Sequence, residues 1–182
     1  MLKKVLIGLA ALAALVVVFL VVVALQPADY RVTRTATLPV PAAAAFDQVN
    51  DFQKWEAWSP WAKLDPAVKN TFSGPKSGAG SVFAWEGNSQ VGAGRMTLLE
   101  SRPGELVRIK LEFIKPFPSV CDTEFTFKPD GQGTAVTWTM AGQNSFIGKA
   151  MCLFVSMDKM VGGDFERGLG NLKTASQAAP KP

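Results

Sequence analysis

The sequence of 182 residues contains no histidine. Histidine is the commonest general base at neutral pH, and it completes the Ser-His-Asp and Cys-His nucleophile systems and most zinc and haem sites. Its absence excludes those classes of enzyme and metalloprotein. We therefore expect no metal site, no cofactor and no catalytic set that works through an imidazole.

Cysteine and net charge are also sparse. Cys121 and Cys152 are the two cysteines, and nothing in their spacing requires a disulfide, although they could pair in an oxidising compartment. We expect two small buried apolar side chains instead. The net charge of +4 includes Lys3 and Lys4, which leaves +2 for the rest of the chain. No basic face for nucleic acid is implied, so we expect no nucleic-acid partner.

Apolar residues, by contrast, make up 48% of the chain and are unevenly distributed. Residues 5–25 form an uninterrupted apolar stretch that is long enough to cross a bilayer as a helix. A cleaved signal peptide has a shorter apolar region, of about 7–15 residues, and a small-x-small cleavage site. Residues 25–28 supply such a site poorly. We therefore predict an uncleaved single-pass membrane anchor over residues 1–27.

The charges beside this stretch bear on its orientation. Lys3 and Lys4 precede it and favour a cytoplasmic N-terminus, which places the following domain on the extracytoplasmic side. Arg31 and Arg34 lie just beyond the stretch and weaken this preference.

Residues 28–175 are predicted to form one α+β domain, and residues 176–182 a disordered tail. Tyr30–Leu38 alternates as a strand with Arg34 on its apolar face, so Arg34 either reaches the rim or meets a partner inside. Ala42–Asn50 is a short helix after a proline. Period-two alternation then predicts six further strands, joined as an antiparallel meander by short glycine-rich turns. These strands are Val68–Ser73, Ser81–Glu86, Gly94–Glu100, Leu106–Phe113, Cys121–Lys128 and Thr134–Met140.

Three tryptophans follow the short helix in the connector to the second strand. Trp55, Trp58 and Trp61 are three residues apart, and Ser59-Pro60 breaks the helical turn that carries them. The rings either fill the core between two helices or form a hinge over an apolar cavity, where an indole keeps an N–H free for a partner. Both interpretations stay open.

The chain ends in a predicted long helix. An apolar stripe recurs at steps of three or four from Phe146 to Leu172. Each glycine inside a helix costs about 1 kcal/mol relative to alanine, so the glycines in this stripe need a reason. Close packing on the sheet and a kink that lets the helix swing are both open reasons. The glycines are Gly162, Gly163, Gly168 and Gly170.

Together these elements predict a curved seven-stranded antiparallel sheet that wraps around the long C-terminal helix, preceded by a transmembrane helix. A set of short motifs recurs in a characteristic order along these elements: Trp55, Trp58 to Trp61, Asp65-Pro66, Gly78 to Ser81, Trp85 to Asn88, Gly92 to Gly94, Gly133 to Trp138 and Gly162 to Lys173. The order of these motifs resembles the SRPBCC superfamily, the START-related helix-grip fold, over about residues 30 to 174. It looks closest to the bacterial, membrane-anchored polyketide cyclase/dehydrase-like branch, which implies the bacterial cytoplasmic (inner) membrane as location.

The resemblance implies a deep hydrophobic pocket for an apolar small molecule or lipid, between the sheet and the C-terminal helix. Phe83 and Trp85 share one face of their strand. The plausible polar participants are Arg34, Asp65, Glu86 and Glu100, for which rim or turn-capping roles are expected over proton transfer. The expected ligand-binding residues are Trp58, Trp61, Trp85, Met96, Leu98, Phe113, Phe125, Trp138, Met140 and Phe154.

Three functions follow. The first, which we favour, is a membrane-anchored carrier or sensor that binds an apolar small molecule or lipid. The second is a polyketide cyclase or dehydratase-like enzyme, with Glu86 as a weak catalytic candidate whose pKa burial among indoles would raise. The third is a non-catalytic interaction protein, which either holds an apolar segment of a partner or is a scaffold with a filled core. The volume of the cavity distinguishes the ligand-binding functions from the scaffold.

Overall fold

The computed structural model describes residues 1–178 of the chain, which form an N-terminal helix and an α+β domain. The elements, in chain order, are helix α1 (Leu2–Leu25), strand β1 (Asp29–Leu38), helix α2 (Ala42–Asn50), a 3₁₀ helix (Phe52–Ala57), strands β2 (Lys69–Ser73), β3 (Val82–Glu86), β4 (Ala93–Arg102), β5 (Leu106–Lys115), β6 (Ser119–Asp130) and β7 (Gly133–Gln143), and helices α3 (Phe146–Cys152) and α4 (Met157–Ala178).

The seven strands form one antiparallel sheet in the order β1-β7-β6-β5-β4-β3-β2. From β2 to β7 each strand pairs with the next along the chain, as short turns require, and β1 pairs with β7 at the far edge. Helix α4 packs on β1 and β7. The predicted α+β fold, a seven-stranded antiparallel sheet around a C-terminal helix, is confirmed.

The two faces of the sheet differ in chemistry, as the alternation predicts. On the outer face, Thr33 and Thr139 hydrogen-bond across the strands at 3.1 Å, and Arg95 donates to Glu112 at 2.8 Å. The inner face carries buried apolar side chains and packs against α2, the 3₁₀ helix and α4. The polar outer face is suited to contact with water. A site for an apolar ligand is therefore expected on the inner face or at a rim of the sheet.

The C-terminal helix is divided, which the sequence analysis did not predict. Helix α3 ends at Cys152 and α4 begins at Met157, with Leu153–Ser156 between them. Ser156 causes the new start, because its hydroxyl accepts a hydrogen bond from the backbone N–H of Lys159 at 3.3 Å, as an N-cap does. The apolar stripe conceals this break because its spacing continues across it.

The end of α4 also differs from the expectation. The helix continues to Ala178, three residues past the predicted domain end at residue 175, and Ser176 is buried. The predicted disordered tail is therefore wrong for residues 176–178. The remaining part of that prediction, residues 179–182, lies outside the described residues.

Close packing accounts for two of the four glycines in α4. A Cβ at Gly162 would overlap the guanidinium of Arg34, and a Cβ at Gly168 would lie 2.7 Å from the ring of Trp138. Because α4 runs unbroken from Met157 to Ala178, the glycines do not interrupt the helix. The packing interpretation therefore holds at Gly162 and Gly168.

Arg34 reaches the rim of the sheet, one of the two outcomes expected for it, because its side chain is 25% exposed and its partners Asp158 and Glu166 are 54% and 64% exposed. Its guanidinium lies between β1 and α4 and donates to Asp158 and to Glu166, each at 2.7 Å. These contacts raise the pKa of Arg34, and the hydrogen bond from Arg34 lowers the pKa of Asp158. Arg34 thus fixes the first half of α4 on β1.

Candidate functional site

The tryptophan connector fills the core. Trp58 is fully buried and Trp55 is nearly so. The indole N–H of Trp55 donates to the carbonyl of Val49 at 2.9 Å, and that of Trp58 donates to the carbonyl of Gln48 at 3.1 Å. These carbonyls belong to the last turn of α2, where helical acceptors lack partners. Because both N–H groups are used in this way, the core-filling interpretation is confirmed over the hinge.

An aromatic cluster occupies the space between α4 and the sheet. Trp138 stacks on Phe165 of α4 with ring centroids 4.0 Å apart, and on Phe125 with centroids 4.8 Å apart. The ring centroid of Trp58 lies 5.8 Å from that of Trp138. Rings of this size fill the volume where the sequence analysis expected a deep cavity.

Six of the ten expected ligand-binding residues belong to this packed interior. Each is at most 7% exposed to solvent, which leaves no room for a ligand beside them without movement of α4. The expected deep cavity between α4 and the sheet is therefore corrected to a filled core at these positions, which are Trp58, Met96, Leu98, Phe125, Trp138 and Met140.

One polar group in this interior has no partner. The indole N–H of Trp138 is buried and finds no acceptor among the described residues. A buried unpaired donor is unfavourable and rare in native proteins, so this N–H is a position where a partner from outside the chain would be stabilising. A ligand oxygen that reached this N–H would gain a hydrogen bond.

Four aromatic side chains on the inner face keep exposed surface. Phe72 of β2, Phe83 and Trp85 of β3, and Phe113 of β5 follow one another with ring centroids 5.0, 5.8 and 6.3 Å apart. We call this set the aromatic row. Phe72 and Phe113 are exposed, and Phe83 and Trp85 are half-buried. The row runs from the edge strand β2 to the middle strand β5 and so lies away from β1 and β7, on which α4 packs.

Trp85 is held rigidly in the aromatic row. Its indole ring lies over Gly94 of the neighbouring strand, where a Cβ would overlap it, and its N–H donates to the carbonyl of Val91 at 3.0 Å. Trp85 and Phe113 were among the expected ligand-binding residues, but Phe72 and Phe83 were missed. The shared face of Phe83 and Trp85 was the signal that could have found Phe83.

The other two expected ligand-binding residues lie apart from the aromatic row. Trp61 is half-buried and packs edge-on against Trp138 and Phe165, with centroids 5.9 and 6.4 Å away. Phe154 lies between α3 and α4 and is 80% exposed. The structure thus brings only two of the ten residues together in an exposed aromatic surface.

Glu86 does not have the environment expected of a catalytic acid. It is exposed, and it pairs with Lys115 at 2.8 Å. The hydrogen bond from Lys115 lowers the pKa of Glu86. The hypothesis that burial raises the pKa of Glu86 is therefore wrong, because the side chain points away from the indoles and meets a cation.

The remaining acidic candidates have structural roles, as expected. Asp65 is buried and accepts hydrogen bonds from the backbone N–H groups of Ala67 and Asn88, at 3.0 and 2.7 Å. Glu100 forms ion pairs with Arg102 and Arg108. Within residues 1–178, no three side chains of the cysteine, aspartate or glutamate type come together as a metal site would require.

Two surface grooves lie outside the packed space under α4, the first at the aromatic row and the second mainly on the outer face of the sheet. One, of about 300 Å³, runs along Phe52, Phe72 and residues 73–76 and so adjoins one end of the aromatic row. The other, of about 420 Å³, is formed by residues 29–31, Asp122 and residues 141–143. The first groove extends the exposed aromatic surface into a shallow concavity.

Both cysteines are free thiols, and their surroundings differ. Burial raises the pKa of Cys121 to about 11, whereas Cys152 is only half-buried.

Since the thiolate is the reactive form, we expect iodoacetamide near pH 8 to label Cys152 of the folded protein much faster than Cys121. Peptide mass spectrometry measures both rates, and denatured protein, in which both should react alike, is the control. Equal labelling in the folded state would contradict this burial.

The sequence matches a protein family described as polyketide cyclase / dehydrase and lipid transport, over residues 29–177. No curated protein matches the sequence. The family match covers the α+β domain and does not include α1.

Solved structures share the fold at low sequence identity. Protein MLL2253 from Mesorhizobium loti is 14% identical with a TM-score of 0.60, and the match covers 84% of this chain and 100% of that chain. The Aha1 dimer from Colwellia psychrerythraea is 12% identical with a TM-score of 0.59, covering 84% and 99%. The di-domain ARO/CYC BexL from the BE-7585A biosynthetic pathway is 16% identical with a TM-score of 0.61, covering 87% and 53%. These identities establish the fold alone.

Proposed function

This chain belongs to the polyketide cyclase / dehydrase and lipid transport family, whose fold binds hydrophobic ligands, and we propose that it holds an apolar small molecule or lipid against the aromatic row. We further propose that it works as a carrier or sensor anchored in a membrane by α1. The observation that carries the proposal is the aromatic row itself, an exposed apolar surface on the inner face of the sheet.

The chemistry of the aromatic row suits an apolar ligand. Large rings provide most of the contact area in hydrophobic binding sites, and exposing them to water is unfavourable. Trp85 is fixed by Gly94 and by its hydrogen bond to Val91, so little side-chain freedom is lost there when a ligand binds. A flat, rigid apolar surface of this kind favours a ring system or an acyl chain.

Membrane anchoring rests on α1. It is the one helix in residues 1–178 that is long and apolar enough to cross a bilayer, with a mean hydropathy of 3.2. Lys3 and Lys4, in the first turn of α1 and before its apolar stretch, support an extracytoplasmic domain. An anchor in a bacterial cytoplasmic membrane would keep the aromatic row close to the phase in which apolar molecules concentrate.

Within residues 1–178, the enzymatic alternative lacks an acid–base group at this surface. Glu86 is exposed and paired with Lys115. Asp65 accepts a hydrogen bond from the backbone N–H of Asn88, and Glu100 forms an ion pair with Arg108 on the outer face. General acid catalysis near neutral pH requires a group whose pKa lies close to neutrality, and a lowered carboxyl pKa does not provide it. A binding role without chemistry therefore has the better support.

The proposal predicts that the protein carries a ligand that a charge in the aromatic row displaces. We expect native mass spectrometry of the full-length protein, released from nanodiscs of one synthetic phosphatidylcholine, to show an added mass that is neither lipid of the disc nor detergent. Phe113→Asp should lose this mass, because an ionised carboxylate disfavours contact with an apolar ligand.

Leu99→Asp is the matched control. Leu99 is exposed to a similar degree but lies in the bulge of β4 between Leu98 and Glu100, away from the aromatic row. The added mass should persist in Leu99→Asp. A bare protein mass in the wild type, even after incubation with total membrane lipid, would overturn the proposal and favour the scaffold.

A further inference from the structure

Exposed apolar side chains gather at the end of the domain that adjoins α1. Phe154 is 80% exposed, and the others are about half exposed. Single exposed apolar residues are common on soluble proteins, but a group at one end of a domain marks a contact surface. We call this group the apolar end, and its members are Ile114, Phe117, Val120, Ile147, Met151 and Phe154.

The strand register places Ile114, Phe117 and Val120 at the end of the sheet that adjoins α1. Asp29, the first residue of β1 after α1, pairs with Gln143 at the end of β7, and Gly142 pairs with Cys121 near the start of β6. The turn between β5 and β6 therefore extends beyond the sheet on the side where α1 joins it. Helix α3 follows β7 at this same end.

Helix α3 also packs directly on the last turns of α1. Val23 is the buried residue of α1, and the ammonium of Lys149 in α3 donates to the carbonyl of Ala24 at 3.3 Å. The backbone N–H of Asn144 donates to the carbonyl of Ala28 at 2.8 Å. These contacts fix α3 at the level of the C-terminal end of α1.

The length of α1 determines how deep in a bilayer this contact between α1 and α3 would lie. The apolar stretch at residues 5–25 rises about 30 Å as a helix, which matches the thickness of a bilayer's hydrocarbon core. Val23 and Ala24 then lie just inside the hydrocarbon boundary. Because α3 packs beside them, α3 must lie at the membrane interface.

We propose that the apolar end dips into the lipid bilayer that α1 crosses, so that α3, Phe154 and the β5–β6 turn form a second, peripheral membrane contact. This inference rests on the membrane anchoring in the proposed function. It adds a consequence for the ligand: Phe113, one end of the aromatic row, lies two residues before the end of β5. The row therefore begins next to the bilayer, and an apolar ligand can pass from lipid to protein without crossing water.

Photo-crosslinking of the full-length protein tests the contact. We would place p-benzoylphenylalanine singly at Phe117, Phe154, Val16 and Leu99 and reconstitute each protein in vesicles of phosphatidylethanolamine and phosphatidylglycerol. Val16 lies in the middle of α1, and Leu99 is an exposed residue towards the other end of the sheet. Mass spectrometry then measures the yield of lipid adducts at each position.

We expect lipid adducts when the label is at Phe117, Phe154 or Val16, and no adducts when it is at Leu99. Adducts at Val16 without adducts at Phe117 and Phe154 would overturn the inference while leaving the anchor intact. An absence of adducts at Val16 would overturn the anchoring and the inference together. Adduct yields at Leu99 equal to those at Phe117 would also overturn it, because contact would then not be confined to the apolar end.

Discussion

Replacing Trp58 with alanine is expected to lower the free energy of unfolding by about 3–5 kcal/mol, the range for truncating a fully buried large aromatic side chain. Trp58 is 0% exposed, and its ring contacts those of Trp55, Phe125 and Trp138 at centroid distances of 4.5, 6.0 and 5.8 Å. The substitution also leaves the carbonyl of Gln48 without its donor. Lost packing and an unpaired acceptor act in the same direction.

Guanidinium unfolding of the detergent-solubilised full-length protein, followed by circular dichroism, measures this loss. Trp61→Ala is the matched control, because Trp61 is half-buried and therefore loses fewer contacts. We expect a clearly smaller loss for Trp61→Ala. Equal losses for the two variants would show that Trp58 does not fill the core, and would reopen the hinge interpretation of the connector.

The strands could be predicted because one face of the sheet meets water. Val107 and Ile109 of β5 are buried, whereas Arg108 between them pairs with Glu124 on the outer face. That alternation appears directly in the sequence. The short turns then leave few topologies open, so the order of β2 to β7 followed as well, whereas the pairing of β1 with β7 was not predicted.

The break between α3 and α4 could not be predicted from the apolar stripe. Leu153 and Phe154 continue the helical spacing, and only the serine at position 156 indicates a new helix start. Ser145 caps α3 in the same way, accepting a hydrogen bond from the N–H of Gly148 at 3.2 Å. A serine is common in loops and helices alike, so its side chain becomes informative only when its backbone partner is known.

The candidate site could be predicted in composition but not in volume. Alternation identified which side chains face inward, and these are apolar as expected. Whether they enclose a cavity depends on how closely α4 approaches the sheet, which Gly162 and Gly168 decide through contacts with Arg34 and Trp138. Those partners lie far away in sequence. The sequence left close packing and a kink equally open for that reason.

Gly168→Ala is expected to destabilise the protein by about 1–3 kcal/mol, the usual effect of overpacking a core. The new Cβ would lie 2.7 Å from the ring of Trp138 and 3.3 Å from Cδ of Pro60. The Trp138 ring cannot move aside easily, because it is stacked between Phe165 and Phe125. Helix α4 must therefore shift away from the sheet, which disturbs the whole aromatic cluster.

Gly170→Ala in the same helix is the matched control and should have the opposite sign. A Cβ at Gly170 meets no atom within 4 Å, so the substitution only replaces a poor helix former and should stabilise α4 by about 0.5–1 kcal/mol. The same unfolding experiment compares the two variants. A stabilising Gly168→Ala would mean that α4 is loosely held over Trp138, and that the filled interior opens readily enough to admit a ligand to the unpaired indole N–H.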